Sequence, residues 1–195
     1  MIYTFAKTVL RILYAIMFRL EAVGRENIPR EGGVLLCSNH ISNFDPPTVG
    51  IMIHRQVRFM AKSELFDVPV FGKVIRAVGA FPVKRGGVSK ESIKTSLNIL
   101  RDGEVLGIFP SGSRHNDGGI GKKGAASFAL RSGATVIPAA IIGNYKLFRK
   151  MKVVYGAPVD LEEFKDDQAG DALERATEKI MSKINEMVRT GKPSQ

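Results

Sequence analysis

The sequence predicts an α/β fold: a mostly parallel or mixed central sheet flanked by helices, with an N-terminal amphipathic, membrane-associating helix. Two observations carry this expectation. Short apolar runs suited to buried strands alternate with segments of helical periodicity along the chain. Of the 195 residues, 44% are hydrophobic, enough for one domain with a sizeable core. The single Cys37 excludes an intramolecular disulfide and a multi-cysteine zinc site, and a reducing, intracellular setting is the default.

The N-terminal segment Met1 to Leu20 is the most apolar of the chain. Ile2, Phe5, Val9, Ile12, Leu13, Ile16, Met17 and Leu20 recur at helical spacing, with Lys7 and Arg11 one turn apart and Arg19 closing the segment. Its longest uncharged run, Ile12 to Phe18, is far shorter than the roughly 20 residues that span a bilayer. The same cations interrupt any signal-peptide pattern. An ordinary core-packing helix and an interfacial helix remain as readings. The width of the stripe, with Tyr3, Tyr14 and Phe18 along it, favours the interfacial one, with Lys7, Arg11 and Arg19 near anionic phosphates.

Beyond it, strands are expected at Val34 to Ser38, Val57 to Ala61, Ala80 to Val83, Val105 to Phe109, Thr135 to Ile142 and Lys152 to Tyr155. Each is a short run rich in branched or apolar residues. Helical periodicity marks Pro47 to Ile53, Val70 to Val78, Lys90 to Arg101, Ala125 to Arg131 and Ala172 to Val188. The last is clearest, with Leu173, Ala176, Ile180, Ile184, Met187 and Val188 on one face.

Charge narrows the choice of partner. Lys and Arg number 29 against 19 Asp and Glu, a formal net charge of +10. The excess gathers between Arg55 and Lys90 and at Lys146, Arg149, Lys150 and Lys152, which points to an anionic partner. Nucleic acid is disfavoured. The chain has no Trp and no finger spacing or RRM-like aromatic block on which bases would stack.

Chemistry concentrates after the expected strand at Val34 to Ser38, in Ser38-Asn39-His40-Ile41-Ser42-Asn43-Phe44-Asp45-Pro46-Pro47. Loops at strand ends are where α/β sheets place their sites. A carboxylate beside an imidazole accepts from one ring nitrogen, fixes the tautomer and stabilises the imidazolium that forms when the other nitrogen takes a proton. His40 with Asp45 fits such a general base. Asp45 followed by Pro46 also reads as a helix N-cap with proline in the first turn. Ser38 and Ser42 lack the elbow of a serine nucleophile, and Cys37 lies in an apolar strand where an inert thiol is usual.

Two further segments suit an anion. Gly79 to Gly87 sets Lys84 and Arg85 at a strand end before two glycines, although an isolated Lys-Arg pair is as often a solvated turn. Phe109-Pro110-Ser111-Gly112-Ser113-Arg114 repeats that arrangement and leads into Gly119, Gly121, Lys122, Lys123 and Gly124. The Gly-x-Gly-x-x-Gly match there lacks the strand and the acidic residue of a dinucleotide site. The P-loop pattern fails because Asn116 stands where it needs glycine.

Taken in order, these segments resemble the glycerolipid acyltransferase family, particularly its bacterial 1-acylglycerol-3-phosphate branch. Asn39-His40 through Asp45-Pro46 matches the His-x-x-x-x-Asp block. Gly79 to Arg85 is similar to the second block, Phe109 to Arg114 to the Phe-Pro-Glu-Gly-Thr-Arg block, and Val136-Ile137-Pro138 to the fourth. One departure stands out: Ser111 replaces the usual Glu, and Ser113 replaces Thr.

The resemblance implies transfer of a fatty acyl group from acyl-CoA or acyl carrier protein to the sn-2 hydroxyl of lysophosphatidate, without cofactor or metal. His40 and Asp45 would be catalytic. Arg85, Ser111, Gly112, Arg114 and Lys122 would bind substrate. Residues 1–20 would form the interfacial helix and 21–195 the acyltransferase domain, on the cytoplasmic face of the cell membrane. The altered third block keeps glycerol 3-phosphate or another lysolipid open as acceptor. A non-enzymatic basic protein, binding membrane or nucleic acid, is the remote alternative.

Overall fold

The computed structural model describes residues 2–83, 89–111, 121–167 and 169–195, with Ile2, Gly121 and Lys122 described by their backbone alone. A seven-stranded mixed sheet forms the centre. Its strands are β1 (Glu21–Val23), β2 (Val34–Ser38), β3 (Val57–Lys62), β4 (Phe81–Val83), β5 (Val105–Ile108), β6 (Thr135–Ile142) and β7 (Lys152–Tyr155), in the order β1-β7-β6-β2-β5-β3-β4. From β6 to β4 every pairing is parallel, whereas β7 runs antiparallel to β6 and carries β1 parallel to itself.

The helices are α1 (Ile2–Phe18), α2 (Asp45–Gly50), α3 (Phe71–Ala77), α4 (Lys90–Arg101), α5 (Gly121–Ser132) and α6 (Ala172–Thr190). They divide the core between two faces. Leu35, Cys37, Leu106 and Val136 pack against Leu97 and Leu100 of α4, Phe128 of α5 and Ile180 and Ile184 of α6. On the opposite face Leu36, Ile137, Ile141, Val153 and Tyr155 pack with Tyr14 and Phe18 of α1 and Val49 of α2. Covered on both sides, β2 reads as an unbroken apolar run, as buried parallel strands do.

Sequence patterning and structure agree residue for residue at β2, β6, β7 and α4. Helix α4 starts where Ser89 Oγ accepts the Ser92 amide at 3.1 Å, and α6 stops at Gly191, whose φ of 67° suits a residue without a side chain. Pro82 lies in the edge strand β4, where the missing amide is harmless. Strand β1 escapes the sequence pattern because its three residues are mostly exposed and acquire strand character only by pairing with β7.

The N-terminal stripe proves to be two faces of one helix. Tyr14 and Phe18 are buried, Leu10 packs beside them, and Tyr3 donates its hydroxyl to the Arg55 carbonyl at 3.3 Å. Lys7, grouped by sequence with lipid-facing cations, instead donates to the carbonyl of Ile53, and burial beside Arg11 lowers its pKa. The opposite face leaves Phe5, Val9, Ile12, Leu13, Ile16 and Met17 exposed. Among the described residues no helix is long and apolar enough to cross a membrane.

Two cations of the Arg55 to Lys90 cluster are likewise engaged within the domain. Arg55 donates to the carbonyls of Pro29 and Gly103, and Arg58 forms a two-pronged pair with Glu104.

Candidate active site

Three neighbouring strands, β5, β2 and β6, run parallel and deliver their C-terminal ends side by side. The loop after β2 carries His40, the end of β5 carries Phe109, and the loop after β6 carries Tyr145. Asn39 anchors the first loop. Its side chain accepts the Ile141 amide at 2.7 Å and donates to the Ile141 carbonyl at 3.0 Å, prolonging the β2–β6 ladder by one step. That double bond fixes where the chain leaves the sheet, and hence where His40 stands.

His40 and Asp45 meet as the spacing predicts. Nδ1 of His40 lies 2.6 Å from Oδ2 of Asp45, whose carboxylate is fully buried. An ionised carboxylate only accepts, so the shared proton belongs to Nδ1 and leaves the Nε2 lone pair for a substrate proton. The ring retains 17% exposure and stacks on Phe109, with centroids 4.2 Å apart and planes 18° from parallel. Phe59 stacks in turn on Phe109 at 6.0 Å. These rings hold the imidazole plane while part of the ring stays accessible.

The role of Asp45 as a cap needs correction. Phe44 is the N-cap of α2 and makes no side-chain cap bond, while Asp45 is the first helical residue. The helix therefore covers Asp45–Gly50 rather than 47–53. Instead of capping, the carboxylate turns back on its own loop, and Oδ2 accepts the amides of Ile41 at 2.6 Å and Ser42 at 2.7 Å. Oδ1 accepts the hydroxyl of Tyr145 at 2.7 Å. A buried carboxylate needs such partners, because an unpaired charge in an apolar interior is strongly disfavoured.

Sequence reasoning missed Tyr145 and its partner Thr48. The two hydroxyls lie 2.8 Å apart, and Thr48 Oγ1 is also 2.7 Å from the Phe44 carbonyl. With the phenol proton given to Asp45, Thr48 has one proton for two acceptors, the phenol and Phe44. Burial, opposed by the Thr48 bond and reinforced by Asp45, raises the Tyr145 pKa far above the ordinary phenol value, so it stays a donor. Tyr14 donates to Phe44 at 3.3 Å, and burial pushes its pKa up to about 12. Phe18 packs edge-on against Tyr145 at 5.4 Å, which ties α1 to the same network. No local motif announces Tyr145; only its phenol and the tyrosine-poor composition mark it.

Of the expected substrate-binding residues, Ser111 is half-buried two positions beyond Phe109. Arg85, Gly112, Arg114 and the side chain of Lys122 lie outside the described residues, as does Ser113. Cys37 is fully buried and its pKa strongly raised by that burial, which makes it an inert thiol. Among the described residues no group of three or more His, Cys, Asp or Glu could hold a metal ion.

A buried Asp bonded to a partly accessible His at the C-terminal ends of parallel strands has the geometry that a general base requires. Residues 19–142 match the family model described as Acyltransferase. The 1-acyl-sn-glycerol-3-phosphate acyltransferase of Bacillus subtilis (strain 168) is 31% identical over 191 residues, covering 95% of this chain and 96% of that protein. The enzyme of the same name from Streptococcus pneumoniae is 31% identical over 174 residues, covering 85% of this chain and 65% of that one. The crystal structure of the 1-acyl-sn-glycerophosphate (LPA) acyltransferase PlsC from Thermotoga maritima superposes with a TM-score of 0.70 at 24% identity, covering 96% of this chain and 77% of that one; it shares the fold. The chain belongs to the acyltransferase family.

Proposed function

We propose that this protein transfers a fatty acyl group from acyl-CoA or acyl carrier protein to the sn-2 hydroxyl of lysophosphatidate, giving phosphatidate for phospholipid synthesis. The observation that carries the reading is the His40–Asp45 pair, with Nδ1 engaged and the imidazole edge accessible. The likeness to the Bacillus subtilis enzyme along almost the whole of both chains supports lysophosphatidate as acceptor.

A thioester is already activated, so one general base suffices and no acyl-enzyme is required. Nε2 of His40 takes the hydroxyl proton as the oxygen attacks the thioester carbonyl. The tetrahedral intermediate collapses, the C–S bond breaks, and the imidazolium returns its proton to the departing thiolate. Asp45 stabilises the imidazolium between these steps. Arg85, Arg114 and Lys122 would hold the acceptor phosphate, with Ser111 and Gly112 beside the glycerol portion, and backbone amides would receive the oxyanion. The chemistry calls for no metal or cofactor. Residues 1–20 would lie on an anionic membrane and 21–195 would carry the reaction, at the cytoplasmic face.

Ser111 favours a second acceptor as the alternative, since it lacks the charge of the glutamate that the resemblance leads one to expect. Purified protein should release free thiol and form phosphatidate when given an acyl thioester and lysophosphatidate. His40→Ala should lower kcat by about 10²–10⁴-fold. Retention of near-normal turnover by His40→Ala would overturn the mechanism. A panel including glycerol 3-phosphate and other lysolipids assigns the acceptor, and parallel assays with acyl-CoA and acyl carrier protein assign the donor.

A further inference from the structure

We infer that the loop joining β6 to β7, residues 143–151, is a second lipid-docking element, which sets Leu147 and Phe148 into the surface of an anionic bilayer beside α1. The inference rests on the membrane-surface reading of α1 and extends it to a segment far away in sequence. Leu147 is 58% exposed and Phe148 is 68% exposed, adjacent apolar side chains that the domain leaves mostly uncovered. Phe148 also has a φ of 62°, a left-handed conformation that a bulky side chain adopts only when its surroundings impose it. The imposing contact is its amide, which donates to the Met17 carbonyl at the end of α1 at 2.6 Å. The loop is therefore fastened to α1 by its backbone while the Phe148 side chain stays largely exposed.

Position and charge decide the occupant. The bond to Met17 places Leu147 and Phe148 next to the end of α1 whose outer face exposes Leu13, Ile16 and Met17. Together they extend one apolar surface across two elements, larger than scattered surface residues provide. Neither contributing segment contains an acidic residue: the first acid of the chain is Glu21, and residues 143–151 have none. Lys146 and Arg149 flank the apolar pair in sequence, Arg11 lies on α1 and Arg19 follows its last residue. Among the described residues these four have no ion-pair partner, whereas Lys150 pairs with Glu21 at 2.8 Å. Apolar side chains ringed by unpaired cations fit the acyl boundary and the phosphates of an anionic leaflet. Tyr145, in the same loop, holds Asp45, so a loop seated on lipid keeps the catalytic carboxylate at the membrane surface that supplies a lysolipid.

The absence of native Trp makes the test direct. Single-tryptophan variants Phe148→Trp, Leu147→Trp and, on the outer face of α1, Ile12→Trp are titrated as full-length protein with phosphatidylcholine vesicles, with and without phosphatidylglycerol. All three should shift to the blue and be quenched by brominated acyl chains only on vesicles containing phosphatidylglycerol. If Ile12→Trp responds while both loop reporters stay in water, the loop inference is overturned and the α1 reading stands. If none responds, both are overturned. A blue shift that grows with protein concentration in vesicle-free buffer assigns the surface to a second copy of the chain and also overturns the inference. Two loop reporters guard against misfolding of one. Thiol release by each variant in detergent micelles, which should match wild type, reads the acyl-transfer proposal separately. The pair Leu147→Ser and Phe148→Ser, made together, should weaken vesicle binding at least about tenfold.

Discussion

Tyr145 donates its hydroxyl to Oδ1 of Asp45 at 2.7 Å across 100 positions of sequence, while His40 and two loop amides occupy Oδ2. The two oxygens of one buried carboxylate are thus divided between the imidazole and the tyrosine.

Replacing Tyr145 with Phe removes that donor while keeping the ring against Phe18 and Phe44. A hydrogen bond to a charged group contributes about 1.5–3 kcal/mol, and a loss of that order should appear in urea unfolding. A positioning role adds a kinetic signature. We expect kcat to fall about tenfold, or about 1.4 kcal/mol in activation free energy, with KM nearly unchanged. A stability loss with wild-type kcat would show that the bond serves the fold alone.

Asp45→Asn should be milder than its buried position suggests. The Ile41 and Ser42 amides both donate to the Oδ2 position, so the amide oxygen is held there and the Nδ1–H tautomer of His40 survives. The new NH₂ then faces the Tyr145 hydroxyl, which can accept it. What disappears is the negative charge that stabilises the imidazolium. Activity should drop about 10²-fold yet remain above that of His40→Ala, as read from initial rates of thiol release. Equal loss in both variants would mean that Asp45 orients His40 in a way the amide cannot reproduce.

Gly107→Ala probes the aromatic support. A Cβ built on Gly107 would come within 2.1 Å of the Phe59 ring, which stacks on Phe109 beneath His40. Phe59 must move, and overpacking of this kind costs about 1–3 kcal/mol. Both the urea midpoint and kcat should fall, because the displaced ring loosens the stack. Unchanged kinetics in a destabilised protein would separate the stack from catalysis.

Alkaline pH should weaken the fold. Burial raises the pKa of Tyr145 and Tyr155 well beyond the ordinary phenol value and that of Tyr14 to about 12. Above pH about 10 the unfolded chain loses these protons while the native protein keeps them, so unfolding releases protons and stability declines as pH rises. Below that value the contribution is fully present. Thermal melts between pH 8 and 11 should therefore show a decline that begins near pH 10, with Tyr155→Phe flattening it.

The His40–Asp45 pair was readable because its members lie five positions apart, one in the loop after β2 and one at the start of α2, a stretch short enough to close the contact. Strands β2, β6 and β7 were readable because burial imposes apolar runs of strand length. Lys7 was misread because helical periodicity shows that a stripe exists, not which part of a broad stripe meets the domain. Asp45 was misread as a cap because Asp-Pro describes a helix start equally well whichever way the carboxylate turns.

Local chemistry in the sequence thus determined the class of fold and the pairing of His40 with Asp45. The tertiary structure alone decided that β7 reverses, that β1 joins it, and that Phe109 and Tyr145 converge on His40 and Asp45. The reason is physical. Contacts within a loop are fixed by a few backbone angles, whereas partners 70 or 100 positions away, roughly, meet only once strand order has been settled by the burial of the whole sheet.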